Sequence, residues 1–302
     1  MPSWQSNLFR RFARLSKPRV AGATTDIAEL RRQYAYLSER FGAAPSDVTY
    51  EAGQVGPIKG EWVKVSNASP GRLILYFHGG GYIAGSPETH RPLVARLSQA
   101  AEANAFVPAY RLAPEFAFPA AVRDGIDSYR HLITKGIEPS SIVVAGDGSG
   151  GGLAFAVLLA ARNAGLAMPA AAVAMSPWAD MSLSGMSVLT NDSNDTALTW
   201  ELLFLSARNY LRKTNPSDPY ASPAYASFRD FPPIMVHAGS FEMLRDDASR
   251  IGDRAADAGT PVSVEIYDGM QHAFQANPYV PEARVSLQRL GQFIKSKTAS
   301  RA

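Results

Sequence analysis

An α/β fold built on a mostly parallel sheet is the class that the sequence predicts. Short apolar, β-branched runs alternate with longer helical patterns along most of the 302 residues, which is the order of βαβ units. The first two runs have no helix between them, so we expect an antiparallel pair at one edge. Hydrophobic residues make up 46% of the chain, enough to bury a central sheet between flanking helices. The predicted strands cover residues 48–51, 59–65, 73–77, 105–109, 142–145, 171–175, 234–238 and 262–267.

The composition disfavours several classes of protein. No run of about 18 uncharged apolar residues occurs, so the sequence predicts no integral membrane segment. The chain has no cysteine, which excludes disulfides, thiolate catalysis and thiolate metal sites. We expect a cytoplasmic protein. We also expect no cofactor and no metal. A net charge of +3 gives little support to nucleic-acid binding. A small-molecule substrate is the expected partner, and the sequence leaves a homodimer open.

A glycine-rich turn between a strand and a helix is the first candidate site. Residues 142–144 are β-branched, residues 146–152 read Gly-Asp-Gly-Ser-Gly-Gly-Gly, and an Ala- and Leu-rich helix follows. A nucleophile elbow of the G-x-S-x-G type needs this context, with small residues around a strained apex. In gapless register the apex is Gly148, and Ser149 comes one residue late. A dinucleotide site of the G-x-G-x-x-G type is disfavoured, because the next predicted strand does not end in an acid.

Three further motifs accompany this turn. They read His78-Gly79-Gly80-Gly81-Tyr82, Tyr110-Arg111-Leu112-Ala113-Pro114-Glu115 and Asp218-Pro219-Tyr220-Ala221-Ser222-Pro223. With the turn, they resemble the bacterial hormone-sensitive-lipase-like branch of the α/β-hydrolase fold, over roughly residues 24–294. The resemblance implies an α/β-hydrolase core with a helical cap. We expect the N-terminal part of the cap at 1–45, the first part of the core at 46–181, a cap insertion at 182–215 and the second part of the core at 216–302.

The resemblance also implies a catalytic serine, histidine and acid, and two of these positions depart from the family pattern. The family usually carries G-D-S-A-G-G at the elbow, where this chain has Gly148 at the serine position. Phe241 stands where we expect the aspartate, and only His272 matches. We therefore predict that the standard triad is not intact. Three acidic residues are candidates to replace the missing acid: Glu242, Asp246 and Asp247.

The remaining candidates concern proton transfer and the stabilisation of negative charge. We expect His272 to act as the acid–base, because an imidazole titrates near neutral pH. The N–H groups of Gly79, Gly80 and Ser149 are expected to form an oxyanion hole. Ser149 is also a candidate nucleophile. However, a shift of one residue along the elbow rotates its side chain away from the apex, so we favour the interpretation that it starts the helix.

Three functions stay open from the sequence. The first is carboxylesterase-like hydrolysis of a small acyl or carbonyl substrate, by Ser149 or by a water that His272 activates. The second is non-hydrolytic acid–base chemistry, such as elimination, cyclisation or isomerisation of a carbonyl compound. The third is non-catalytic binding of a small molecule, which the retained histidine and glycine loop disfavour.

The first 25 residues carry five basic residues and no acid. Five apolar residues share one face of a predicted helix: Trp4, Leu8, Phe9, Phe12 and Leu15. A transit peptide or a membrane-surface helix has this pattern. The family resemblance implies a helix that covers the active site as a lid, and we favour this interpretation.

Overall fold

The computed structural model of the chain describes residues 2–15, 26–40 and 45–298. Eight strands of the described residues form one sheet in the order β1-β2-β4-β3-β5-β6-β7-β8. The strands are β1 (Val48–Val55), β2 (Ile58–Val65), β3 (Leu73–Phe77), β4 (Asn104–Pro108), β5 (Ile142–Asp147), β6 (Ala171–Met175), β7 (Ile234–Gly239) and β8 (Val262–Tyr267). β2 pairs antiparallel with β1 and β4, and the other pairs are parallel. The predicted α/β-hydrolase fold class is confirmed.

Helices cover both faces of the sheet. They are α1 (Trp4–Leu15), α2 (Ile27–Arg40), α3 (Pro87–Ala101), α4 (Ala120–Thr134), α5 (Ser149–Asn163), α6 (Met186–Thr190), α7 (Trp200–Leu211), α8 (Arg245–Asp257) and α9 (Pro281–Lys297). Successive side chains of a strand point to opposite faces. Ile74 and Tyr76 therefore belong to the core layer of α3 and α9, whereas Leu75 and Phe77 belong to the layer of α4 and α5.

The parallel strands bring four loops to one edge of the sheet. β3, β5, β7 and β8 run in the same direction, so the segments that follow them leave from the same edge, where ligands bind in open α/β sheets. Those four segments contain, in this order, the glycine loop (residues 78–82), the elbow (residues 146–150), the acid loop (residues 239–247) and His272.

The chain between β6 and β7 carries α6 and α7 outside the sheet. The hydroxyl of Thr199 accepts a hydrogen bond from Leu202 N at the start of α7, the bond of an N-cap. Of the expected N-terminal cap part, α1 and α2 are described, whereas residues 16–25 and 41–44 lie outside the described residues. The division of the chain into four cap and core segments stays a prediction. None of the described helices is long and apolar enough to cross a membrane.

Candidate active site

The turn between β5 and α5 has the backbone of a strained elbow, with Gly148 at its apex. Gly148 has φ +51° and ψ −123°, a conformation that a residue with a side chain adopts only at a cost of about 1–3 kcal/mol. Its carbonyl oxygen accepts from Trp178 N at 2.8 Å. A β-carbon on Gly146 would overlap the backbone of Gly150, and one on Gly150 would overlap Phe77 O. Close packing therefore requires glycine on both sides of the apex.

His272 lies directly beside this apex, on the loop that follows β8. Its Nε2 is 3.3 Å from the point where a β-carbon on Gly148 would stand. Its other ring nitrogen, Nδ1, is 3.4 Å from Oε2 of Glu242, and its side chain is 13% exposed. The imidazole thus has a carboxylate on one side and the elbow apex on the other, the order in which a serine hydrolase arranges its acid, base and nucleophile.

The acid loop corrects the expectation that Phe241 occupies the place of the acid. Phe241 N donates to Met270 O and Glu242 N to Gly239 O, which turns the chain so that the fully buried Glu242 carboxylate faces His272. The ring of Phe241 instead lies 4.8 Å from the guanidinium of Arg10. A carboxylate is therefore present beside the histidine, one residue later than the family pattern suggests.

The two other candidate acids do not reach His272. Asp246 accepts a hydrogen bond from Ser187 N at 2.8 Å. Asp247 accepts from the backbone N–H groups of Ala179 and Asp180 at 2.7 and 2.9 Å. Both carboxylates are thus engaged with the segment that follows β6, and of the three sequence candidates only Glu242 contacts the histidine.

Burial and proximity set the proton affinities of this pair. Burial raises the pKa of Glu242, and the adjacent imidazole only partly opposes this, so the net shift is upward. Burial lowers the pKa of His272, but the carboxylate of Glu242, with smaller contributions from Asp195 and Asp147, outweighs it and raises the pKa above its usual 6.5. His272 is therefore a stronger base than an exposed histidine.

The glycine loop offers different N–H groups from those expected. Gly79 N donates to His90 Nε2 and to Asp147 Oδ1, each at 3.1 Å, so its N–H is not available to a ligand. Gly80 and Gly81 line the cavity in front of His272, and their N–H groups have no acceptor among the described residues. Gly79 N, an expected oxyanion donor, is thus held by the Asp147 carboxylate and His90, and Gly81 N joins Gly80 N as a candidate donor.

Ser149 begins α5, and its hydroxyl faces the glycine loop. Its Oγ accepts from Tyr82 N at 3.3 Å, and the residue is buried at 2% exposure. The first N–H groups of a helix have no intrahelical acceptor, so Ser149 N remains as a donor at the elbow. Ser149 N and Gly80 N therefore remain candidate donors, as expected. The Ser149 hydroxyl is instead bonded to the backbone of Tyr82.

The Asp147 carboxylate links the elbow to the glycine loop. Besides Gly79 N, its Oδ1 accepts from the hydroxyl of Tyr76 at 2.7 Å, and the residue is buried at 4% exposure. Burial raises its pKa, but His90 and the Tyr76 hydroxyl more than offset this, and the net pKa is lowered. The carboxylate is therefore ionised and holds the two loops together.

A cavity of about 690 Å³ opens in front of the apex. Its lining includes Gly148 and His272, with Ser6, Phe9 and Ala13 of α1, and Leu202, Leu203 and Ser206 of α7. The lining is mostly apolar, which suits a small molecule held by hydrophobic contact and oriented by few polar groups. The described residues contain no group of three His, Asp or Glu side chains that could hold a metal ion.

Comparison with known proteins agrees with this fold. A family model of the alpha/beta hydrolase fold matches residues 74–276. An acetyl-hydrolase of Streptomyces hygroscopicus is 40% identical over 277 residues, which cover 90% of this chain and 91% of that protein. An esterase of Acinetobacter venetianus is 34% identical over 79% of each chain. The crystal structure of an esterase from the bacterial hormone-sensitive lipase family superposes with a TM-score of 0.93 at 35% identity, over 99% of this chain and 100% of that one.

The fold, the elbow and the position of His272 define the class of protein. The chain belongs to the α/β-hydrolase fold family of hydrolases. Within that family it belongs to the bacterial hormone-sensitive-lipase-like esterases, as its sequence motifs predict.

Proposed function

We propose that this protein hydrolyses a small carboxylic ester by direct attack of a water molecule that His272 activates. The observation that carries the proposal is the position of His272 Nε2, 3.3 Å from the site of a β-carbon on Gly148, with Glu242 behind Nδ1. Gly148 leaves room beside the imidazole for a water molecule in place of a serine hydroxyl. The names of the relatives, an acetyl-hydrolase and an esterase, support an ester as substrate.

The proposed reaction needs no covalent intermediate. The oxygen of the water molecule attacks the acyl carbon while His272 Nε2 accepts one of the water protons. The N–H groups of Gly80, Gly81 and Ser149 donate to the resulting oxyanion, for which one such donor is typically worth about 2.7–4 kcal/mol. The carbon–oxygen bond to the alcohol then breaks, and the alkoxide takes the proton from His272. Glu242 stabilises the imidazolium between the two proton transfers.

Two features support an enzyme over a binding protein. The buried Glu242 carboxylate faces the imidazole of His272. Gly80 and Gly81 line the same cavity, and their N–H groups have no acceptor among the described residues. Neither a buried carboxylate–imidazole pair nor free N–H donors are needed for hydrophobic binding, and a buried ionisable group destabilises a fold unless it is compensated.

The test is hydrolysis of p-nitrophenyl acetate and butyrate by the wild type, His272→Ala and His131→Ala. A positioned general base contributes about 10²–10⁴-fold, so we expect His272→Ala to reduce kcat/KM by that factor. His131 lies on α4, where its Nδ1 contacts Asp127 O, and its variant should match the wild type. Intact-mass analysis during turnover should find no acylated protein.

Two results would contradict the proposal. The first is a wild-type rate equal to that of buffer, and the second is a rate unaffected by His272→Ala. Tight binding of an ester without turnover would favour a binding protein, and conversion of a carbonyl compound without ester hydrolysis would favour elimination or isomerisation.

A further inference from the structure

A segment between α6 and α7 holds the loop that carries Glu242. Asn191 Nδ2 donates to the carbonyl oxygens of Ser240 at 3.1 Å and of Glu242 at 2.9 Å. Asp195 Oδ2 accepts from Met243 N at 2.8 Å. Three backbone groups around Glu242 are thus bonded to two side chains that lie outside the sheet.

The same segment holds the loop that carries His272. Thr196 donates twice to Gln271 Oε1, from its backbone N at 3.1 Å and from its hydroxyl at 3.0 Å. Gln271 directly precedes His272 in the chain. Residues 191–196 therefore bond both to the acid loop and to the loop that carries His272.

Burial makes these contacts hard to replace by water. Asn191, Asp195 and Thr196 are 6%, 1% and 7% exposed. Removing one partner of a buried hydrogen bond leaves the other unsatisfied, at a typical cost of about 1–3 kcal/mol. Asp195 also keeps its own segment in shape, because its Oδ1 accepts from Ala197 N and Leu198 N.

We propose that Asp195, assisted by Asn191 and Thr196, is a positioning residue that sets the distance between Glu242 and His272. The two loops are bonded to each other directly through Phe241 N and Met270 O, and the inserted segment adds bonds to the residues on either side of the pair, Met243 and Gln271. Thr196, Ala197 and Leu198 line the cavity, so the same segment joins the cavity wall to the acid–base pair. The inference adds to the proposed ester hydrolysis and is tested below without turnover.

The charge of Asp195 provides the readout. The carboxylates that face His272 are Glu242, Asp195 and Asp147; they raise its pKa against the lowering effect of burial. Replacement of Asp195 by asparagine removes one of these charges and one of the two acceptor oxygens. The pKa of His272 should then fall, because a nearby negative charge is lost and because Glu242 is less firmly held. The Thr196→Val variant described below changes no charge and isolates the second effect.

The experiment is an NMR titration of the His272 imidazole in the full chain, for the wild type, Asp195→Asn and Asp218→Asn. Asp218 is a matched control, because its Oδ1 accepts from Tyr220 N at 2.9 Å and it is not among the groups that shift His272. We expect a lower His272 pKa in Asp195→Asn alone. In the ester assay, kcat should fall about 10–100-fold, since a displacement of about 1 Å can cost 10²-fold. An unchanged titration in folded Asp195→Asn would overturn the proposal.

A second variant keeps the inference testable if Asp195→Asn does not fold. Thr196→Val removes the hydroxyl that donates to Gln271 while keeping the shape of the side chain and the backbone bond. We expect a lower kcat with little change in KM, and an altered His272 titration. A change confined to KM would instead make Thr196 a substrate contact and would overturn the positioning role. A wild type without esterase activity would contradict the proposed function and leave the two titrations in place as the test.

Discussion

Nε2 of His272 stands 3.3 Å from the place that a β-carbon on Gly148 would occupy. The backbone of Gly148 adopts φ +51° and ψ −123°, although a glycine could adopt many other conformations. The flanking glycines are fixed by contact with neighbouring backbone. The surroundings of a serine nucleophile are therefore preserved around a residue without a side chain.

Gly148→Ser should convert the protein into an esterase that works through an acyl-enzyme. The new hydroxyl would lie beside His272, which already has Glu242 behind it, so one substitution completes the triad. We expect kcat/KM for p-nitrophenyl acetate to rise about 10³-fold or more, with a burst of p-nitrophenol and stoichiometric labelling by an organophosphate. The strained φ should lower Tm by several degrees.

The matched comparison for this variant is the double change Gly148→Ser with Phe241→Asp. Because Glu242 already contacts His272, the added aspartate should give no further gain in activity. A large gain in the double variant over Gly148→Ser would show that Glu242 does not serve as the acid.

The pH dependence of hydrolysis should follow the protonation of His272. The base must be neutral to accept a proton, so kcat/KM should fall tenfold per pH unit below its pKa. Burial lowers the pKa of His272, but Glu242 raises it by a larger amount. The acidic limb of the pH–rate profile should therefore lie above pH 6.5. In Glu242→Gln the limb should move to lower pH, and the plateau should fall by about 10²–10⁴-fold. A limb that stays in place in Glu242→Gln would refute the assignment of the acid.

Ser149→Ala should retain most of the activity. The Ser149 hydroxyl accepts from Tyr82 N, and the proposed oxyanion contact comes from its backbone N–H, which alanine also provides. We expect kcat/KM within about fivefold of the wild type, because a single net hydrogen bond contributes only about 1 kcal/mol. If activity disappears in Ser149→Ala, the hydroxyl is the nucleophile and the water mechanism fails.

The two faces of α1 should contribute unequally to substrate binding. Phe9 lines the cavity and packs against the cluster of Met270, Phe274 and Val280, whereas Leu8 is 45% exposed. Phe9→Ala should raise KM for an apolar ester up to about tenfold, which corresponds to a loss of about 1.4 kcal/mol. Leu8→Ala is the control and should leave KM unchanged. Equal KM values for both variants would argue against α1 as a lid.

The sequence predicts the parts of this site that depend on local pattern. His272 and the apex at Gly148 follow from their positions after predicted strands, and the eight strands themselves follow from apolar runs. The acid is harder to locate, because the turn at residues 239–242 decides which side chain faces His272. The glycine-loop motif points to candidate oxyanion donors but does not say which N–H group is free.

Long-range contacts account for what the pattern misses. Gly79 N is unavailable as an oxyanion donor because it donates to Asp147, a residue 68 positions away in the chain. Asp195 and Asn191 lie in a polar segment without a recognisable motif, and their roles depend on where β6, β7 and the inserted helices place them. Such relationships are properties of the assembled fold, and the sequence pattern carries no local signal for them.

The bonds of Asp147 to Gly79 N and to the Tyr76 hydroxyl have a consequence for recognition. The buried Asp147 carboxylate ties the glycine loop to the elbow, so the positions of Gly80 and Gly81 are linked to that of Ser149. In the proposed reaction, the three N–H groups would already be in place when the carbonyl oxygen enters, and no loop would need to be ordered at that moment. Under that proposal the backbone alone would stabilise the developing negative charge, independently of any nucleophile on the chain.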